Sequence, residues 1–506
     1  MNSTVQNVVI LGGGPVAWLA AAAIHRAFRH RGVGITVVDN GASGDSAIGR
    51  WTLPSQRGMH ALIGVKEVEF LRSTGATFKL ATEHRGWQGA ASRFLHAHGD
   101  IGWDLGASGV PFYKYLQVQQ LGGHRESPES YSLAATAAKL GRFARPMGDS
   151  KALTSSFTYA FHLEDAAYAA FLRQHVTTLG VSVVSATLTD VSLSPSGEIS
   201  AVTLSDGRQI GGDLFVDCSG PDAMLMSRVA SGARDDWSAT LPCDRMWSAR
   251  AKATVDPPAM TVTTAASSGW LWKAPLSEST MVGHTFSSAH MSEEAALARL
   301  QEFAPDLTGT PVLNRFSSGR RRQFWERNCV ALGATAVEIE TLAGANLHLA
   351  QLGIATLIEL FPLEPRSSVE AVEYNRVMAE QADAVRDFTL AHYRIGSAPA
   401  GDFWSEVRAA ELPARLTEKL ELYAANGRIG LLDFDSFEEV DWAWLLIGAG
   451  MTADAIELRI RAELEKIAPN EVATVRNMME RLVSSMPRHI DYVKGQKPKA
   501  SNAPRP

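Results

Sequence analysis

Residues 8–18 read Val-Val-Ile-Leu-Gly-Gly-Gly-Pro-Val-Ala-Trp, and the fold turns on them. Val8 to Leu11 is an uninterrupted apolar run, the pattern of a strand buried on both faces. Gly12 to Ala17 then fits GxGxxA. The first glycine permits a tight turn, the second lets a pyrophosphate approach the backbone, and the small third residue lets helix and strand pack closely. The alanine-rich stretch that follows, WLAAAAIHRAF, is a helix whose N-terminal N–H groups and positive dipole end suit phosphates. Ile35 to Asp39 is a second buried strand, and Asp39 stands where a carboxylate accepts hydrogen bonds from ribose hydroxyls. Strand, turn, helix, strand and acid fall in the order of a βαβ dinucleotide site. Gly12, Gly14, Pro15, Ala17, Trp18 and Asp39 are its expected cofactor-binding residues.

Two later strands decide in favour of FAD. Leu214 to Gly220 (LFVDCSG) is a buried strand ending in Asp-x-Ser-Gly, like the strand that returns to the cofactor in FAD folds of the glutathione-reductase type. Cys329 to Gly333 (CVALG) is another, placed where those folds bring a helix N-terminus to the flavin. There the usual Gly-Asp is Gly333-Ala334, so the carboxylate that would hold the ribityl chain is missing.

Further out, residues 180–219 read as a small β-meander, 240–315 as a second, mostly antiparallel sheet, and 369–487 as helices. The expected fold is α/β, a Rossmann-like FAD-binding fold with an inserted β-sheet and a helical C-terminal region. Its expected division is a discontinuous FAD-binding domain over 1–365 carrying the inserted sheet, a helical region over 366–490, and a disordered tail over 491–506.

Composition bounds the partners. The chain has 506 residues, a formal net charge of −6 and 45% hydrophobic content, an ordinary globular balance with no basic footprint for nucleic acid. Its three cysteines (218, 243 and 329) have no CxxC or ligand spacing, so neither a disulfide framework nor a metal site is expected. The N-terminus lacks the pattern of a signal peptide, and the apolar stretch from Trp18 to Ile24 is too short to span a bilayer. A cytoplasmic protein without membrane attachment is expected.

With these segments placed, the chain resembles the flavin-dependent tryptophan halogenase family over nearly its whole length. The matching stretches are GGGPVAW (12–18), TFKLAT (77–82), YSLAATAAKLGRFARP (131–146), YAFHLEDAAYAAFLR (159–173), GGDLFVDCSG (211–220), LPCDR (241–245) and VRDFTLAHY (385–393). Gly269-Trp270-Leu271-Trp272-Lys273-Ala274-Pro275-Leu276 is similar to the WxWxIP signature, with Ala274 in the isoleucine place. The resemblance implies FADH₂ from a separate flavin reductase, O₂, and chloride or bromide as co-substrate. Hypohalous acid then reaches an indole or other electron-rich aromatic. It implies that Lys79 is the catalytic lysine, hydrogen-bonding hypohalous acid as an ammonium or forming a haloamine once burial lowers its pKa. It further implies that Trp270, Trp272 and Pro275 line the substrate channel and keep substrate off the flavin, and that Leu188 and Leu347 border the cofactor. On spacing alone, Trp270 and Trp272 are two core residues on one face of a strand, and Lys79 is a solvated lysine.

The pattern breaks in two loops. The family segment F-x-E-P-L-E-S-T-G reads here from Glu338 to Asn346, so the second catalytic carboxylate falls on Ala343 and its serine neighbour on Gly344. The Thr-Gly pair whose backbone helps hold halide becomes Ala345-Asn346; backbone N–H groups can still bind an anion there, but the changed residues alter what sets the loop's conformation. The flavin loop G-E-A-T-x-P reads Gly49-Arg50-Trp51-Thr52-Leu53-Pro54, where an acid has become a base and a small residue a large one. Trp51 either fills flavin space or stacks on the ring. Three readings of activity follow: a halogenase, a flavin monooxygenase or other oxidoreductase on the same fold, and a catalytically impaired FAD-binding paralogue. His84, His96 and His98 lie near Lys79, but among 14 scattered histidines they read as surface or core groups. Arg320-Arg321-Arg322 reads as a solvated charge run, and Trp404, Phe434, Trp442 and Trp444 as core or pocket aromatics. Neither nucleic acid nor membrane is an expected partner; a homodimer is an open assembly.

Overall fold

Val8, Val9, Ile10 and Leu11 are almost wholly shielded from water, as a strand covered on both faces requires, and they sit inside a six-stranded sheet. The computed structural model describes residues 4–495 except 42–47, 106–108, 125, 147–154, 231, 363–367, 397–398, 465 and 468. The sheet runs in the order Trp325–Glu326, Cys329–Ala331, Leu214–Asp217, Asn7–Leu11, Gly34–Asp39, Ser182–Ser185. Only its first pair is antiparallel. The four strands expected from apolar runs are thus consecutive neighbours, and each of their connections crosses over as parallel strands demand.

Helix Pro15–Phe28 lies against helices Asp165–Thr178 and Asn346–Glu359. Ala17 and Ala20 to Ala23 have no exposed surface; side chains of one methyl group let the backbones of strand and helix approach closely. The expected meander is present as strands Leu188–Leu193, Ile199–Leu204 and Gln209–Gly211.

Contacts divide the chain into two compact units. The first comprises Met1–Thr74, Leu163–Arg245 and Pro311–Asp383 and contains the parallel sheet and the meander. The second comprises Gly75–His162, Met246–Thr310 and Ala384–Pro506. It is built on a seven-stranded sheet ordered Leu307–Arg315, Arg245–Lys252, Ser279–Phe286, Gly269–Pro275, Met260–Ala266, Ala81–Arg85, Arg93–Ala97.

Contacts group the chain differently from the expected division. The sheet read at 240–315 also takes two strands from residues 81–97, one of them paired parallel to Met260–Ala266. It clusters with the C-terminal helices, and the unit boundary falls inside helix Val369–Arg394, away from residue 365. Helical periodicity shows that a segment is a helix but not which sheet its apolar stripe covers. Polar strands such as Ala81–Arg85, buried despite Thr82, Glu83 and His84, carry no apolar signal at all. The expected tail begins inside helix His489–Gly495, where Ile490 and Val493 are buried, and 496–506 lie outside the described residues. No helix among the described residues is long and apolar enough to cross a membrane.

Residues opposite one another across a sheet share a face. In the second unit, register places Trp270, Trp272 and Ala274 on the same face as Thr263, His84, Phe94, Thr261, Thr82 and His96. The opposite face carries Leu271, Val282 and Ala266, which pack with Leu300 and Ala304 in an apolar cluster.

Candidate active site

The first unit presents the dinucleotide loop. Gly12 has φ +146°, and a Cβ there would lie 2.6 Å from the Cys218 carbonyl oxygen, so no other residue fits. The Gly12 N–H donates to Val38 O at 3.0 Å, and the Trp18 indole donates to Gly13 O at 2.8 Å. Trp18 is 1% exposed; it braces the loop from inside. Gly14 caps the helix with no side-chain hydrogen bond, and the first turn carries no acid. Gly14, Pro15 and Val16 are half-buried between buried flanks, which leaves the positive helix end open to an anion. Asp39 accepts the Gly41 N–H at 3.1 Å and pairs with Arg173 Nε at 3.1 Å, which holds its carboxylate at the strand end. These features fit the ADP half of FAD.

The neighbouring loops account for residues that the sequence left ambiguous. Asp217 accepts four hydrogen bonds, from Ser219 N–H and Oγ–H and from the Leu225 and Met226 N–H groups. The carboxylate of Asp-x-Ser-Gly is therefore spent on its own turn. Thr335 Oγ1 both donates to Gly220 O and accepts the Gly220 N–H, tying that turn to the loop at Gly333 and Ala334. Gly333 has φ +64°, a backbone that disfavours a side chain. Arg50 donates through Nε and Nη2 to the two carboxylate oxygens of Asp165, so the base in this loop serves an ion pair inside the unit. Trp51 is 1% exposed, and a Cβ on Gly344 would fall 2.6 Å from its Cδ1. Trp51 thus rests on Gly344: the large residue in one loop matches the loss of a side chain in the other. Ala343 is half-buried, Glu340 and Leu347 are buried, and Leu188 is half-buried on the meander. Asn346 turns its amide onto Ile339 O at 2.7 Å, so the side chain is committed to the loop that precedes helix Asn346–Glu359.

Lys79 lies in the second unit and is 2% exposed. It ends strand Thr77–Lys79, which pairs with the strand containing Ala160 to His162. Its Nζ is 2.7 Å from His98 Nε2. Among the described residues it makes no salt bridge, and burial lowers its pKa from 10.5 to about 7, opposed weakly by Asp441. His98 is held well below its ordinary pKa, first by burial and then by Lys79, so it is neutral. His96 Nε2 meets Asp441 Oδ1 at 3.0 Å. His162 is engaged at both nitrogens, by Thr77 Oγ1 and Thr261 Oγ1, each at 3.0 Å, while Thr77 Oγ1 donates to Pro275 O at 2.5 Å.

Trp270 and Trp272 are wholly buried on the histidine-bearing face of the sheet. Gly283, opposite Trp272, makes room for its indole, since a Cβ there would fall 2.4 Å from the ring. Trp404 donates to Ala266 O at 2.8 Å and Trp444 to Gly99 O at 3.0 Å. Phe388 packs on His96 and stacks on Phe437. These aromatics anchor the helices to the sheet. Of the histidines set aside in the sequence, His98 is the one brought to Lys79. His162 and Asp441 were not anticipated at all; Asp441 lies 345 residues from its partner His96, beyond any local signal. Arg320 pairs with Asp235 and Asp383, and Arg322 with Asp235, so the charge run is an ion-pair network.

A family model for tryptophan halogenase matches residues 7–463. The tryptophan 6-halogenase of Streptomyces toxytricini is 27% identical over 96% of this chain and 97% of its own length. A flavin-dependent halogenase from Brevundimonas sp. BAL3 superposes with a TM-score of 0.91 at 32% identity, covering 98% of this chain and 99% of that one. One from Xanthomonas campestris gives a TM-score of 0.91 at 30% identity over 98% and 99% of the two chains.

Proposed function

The chain belongs to the tryptophan halogenase family, and from that premise we propose that it halogenates an indole or another electron-rich aromatic, with Lys79 as its catalytic residue. FAD, received reduced from a separate flavin reductase, is the proposed cofactor. Gly12, Gly14, Ala17 and the open end of helix Pro15–Phe28 would hold its pyrophosphate, and Asp39 its ribose. When bound, the reduced flavin supplies the oxygen chemistry that turns chloride or bromide into hypohalous acid. The observation that carries the reading is a buried lysine without a salt bridge among the described residues, whose proton is labile near neutrality.

An ammonium in a dry site donates strongly to a hypohalous oxygen and orients the halogen. As that oxygen leaves as water, the halogen bonds to the ring carbon and the ring loses its proton, so Ar–H and HOX give Ar–X and H₂O. The family resemblance expects a second acid at the position that reads Ala343 here, and turnover without that acid is expected to be slower by about 10²–10³. The test is an incubation with FAD, a flavin reductase, bromide and a panel of indoles and phenols, read by product mass. Brominated product supports the proposal. Hydroxylated product, or consumption of reduced flavin without any change in the aromatic, overturns it.

A further inference from the structure

We infer that His98 is the positioning residue of Lys79: its Nε2 accepts an N–H of Lys79 and fixes where Nζ points. The inference concerns the lysine of the proposed halogenase and rests on that reading for its effect on turnover.

The contact is built rather than incidental. The His98 N–H donates to Leu80 O at 2.8 Å, next in chain to Lys79, and the His98 carbonyl accepts the Thr158 N–H at 3.1 Å. Both backbone groups of the histidine are thus latched. Gly99, which follows, has φ +133° and leaves no room for a Cβ, which would lie 2.6 Å from Phe157 Cα. The Gly99 carbonyl in turn takes the Trp444 indole at 3.0 Å. His98 is 5% exposed and Lys79 2%, so neither side chain has bulk water as an alternative partner. A lysine stem has several rotatable bonds, and a single fixed acceptor removes most of that freedom.

The acceptor's chemistry matters as well as its place. A carboxylate at 2.7 Å would hold the lysine's proton tightly, whereas a neutral imidazole fixes Nζ without cancelling the effect of burial. The other groups facing the pair fit this division. His96 is turned to Asp441, His84 to Thr263 Oγ1 at 2.9 Å, His162 to its two threonines, His392 to Phe388 O and His489 to Pro257 O. Asp441 is the carboxylate that acts on Lys79, through charge alone. Of these groups only His98 offers Lys79 a hydrogen bond.

The experiment titrates Lys79 in the full chain after reductive methylation with [¹³C]formaldehyde. Its ε-methyl resonance is identified by its absence in Lys79→Arg. His98→Phe is expected to lower the Lys79 midpoint by about one pH unit, a tenfold loss of proton affinity, and to cut halogenation about 100-fold at little change in KM. His98→Gln, which keeps an acceptor, is expected to restore the midpoint and most of the rate. Titration and pH–rate profiles in His98→Phe that coincide with wild type overturn the inference. Should His98→Phe not fold, [¹⁵N]histidine spectra of the wild type decide: an Nδ1–H tautomer with unprotonated Nε2 at His98 is required, and an Nε2–H tautomer refutes it. If no aromatic is halogenated at all, the proposed function fails while these titrations still judge His98.

Discussion

The segments Gly12–Ala17 and Gly333–Asn346 each lead from a strand of the six-stranded sheet to a helix N-terminus, the first through a tight turn and the second through a 3-10 turn and the short strand Val337–Glu338. They have fared differently. In the first, the groups proposed to hold the pyrophosphate are backbone, and the glycines that would permit its approach are present. In the second, the family resemblance expects acidic and hydroxyl side chains besides backbone donors, and the corresponding positions here read Ala334, Ala343, Gly344, Ala345 and Asn346. Backbone geometry is enforced by sterics, because a Cβ at Gly12 has nowhere to go. Side-chain chemistry is not, and it can be lost or taken up elsewhere while the fold stands. Trp51 on Gly344 shows the second loop repacked as a core.

Breaking the first loop has the largest expected effect. Gly12→Val places a branched side chain where even a Cβ is 2.6 Å from Cys218 O, and the strain costs about 3 kcal/mol or more. FAD affinity measured by fluorescence titration is expected to fall beyond detection; unchanged affinity refutes the cradle. Restoring the second loop's chemistry comes next. Ala343→Glu is expected to raise kcat about 10²–10³-fold, measured as brominated product per minute, and a flat response means that an acid at residue 343 takes no part in turnover.

Stability gives the third test. Burial pushes the Lys79 ammonium down from its ordinary 10.5 to about 7. The folded state therefore binds fewer protons between those values, and stability rises with pH across that window. The cost of burying the charged lysine is greatest below pH 7 and absent above 10.5. Lys79→Met is expected to stabilise the protein by about 3 kcal/mol at pH 6 relative to pH 10.5, after allowing for relaxation around the buried charge, as read from urea unfolding. A pH-independent difference means the lysine is solvated. The smallest effect tests the repacking. Gly344→Ser meets Trp51 at a residue with φ +68° and is expected to cost about 2 kcal/mol. The double variant with Trp51→Ala should recover about 1 kcal/mol of it, and strict additivity would show that the two positions are uncoupled.

What was legible in the sequence follows the same divide. The parallel sheet was readable because Val8–Leu11, Ile35–Asp39, Leu214–Asp217 and Cys329–Ala331 are buried on both faces and must be apolar throughout. Lys79 and the pair Trp270 and Trp272 were readable only through family resemblance, since a lone lysine or two tryptophans at i and i+2 fit any core. The partition into units was not readable, because Ala81–Arg85 and Arg93–Ala97 bury His84, His96 and Glu83 and so lack an apolar alternation. Nor was the Lys79 environment, which draws on residues near 98, 160, 261 and 441 joined by tertiary packing alone. The role of Arg50 was hidden for a similar reason: its partner Asp165 is 115 residues away.

We propose that catalysis rests on Lys79 in a chain that has alanine at residue 343, where the family resemblance expects a second acid. It is tested most directly by Lys79→Ala in protein shown by titration to bind FAD as the wild type does, assayed with reductase, bromide and the best aromatic found for the wild type. Brominated product is expected to fall about 10³-fold or more while oxidation of reduced flavin continues. Bromination at the wild-type rate in Lys79→Ala would contradict it.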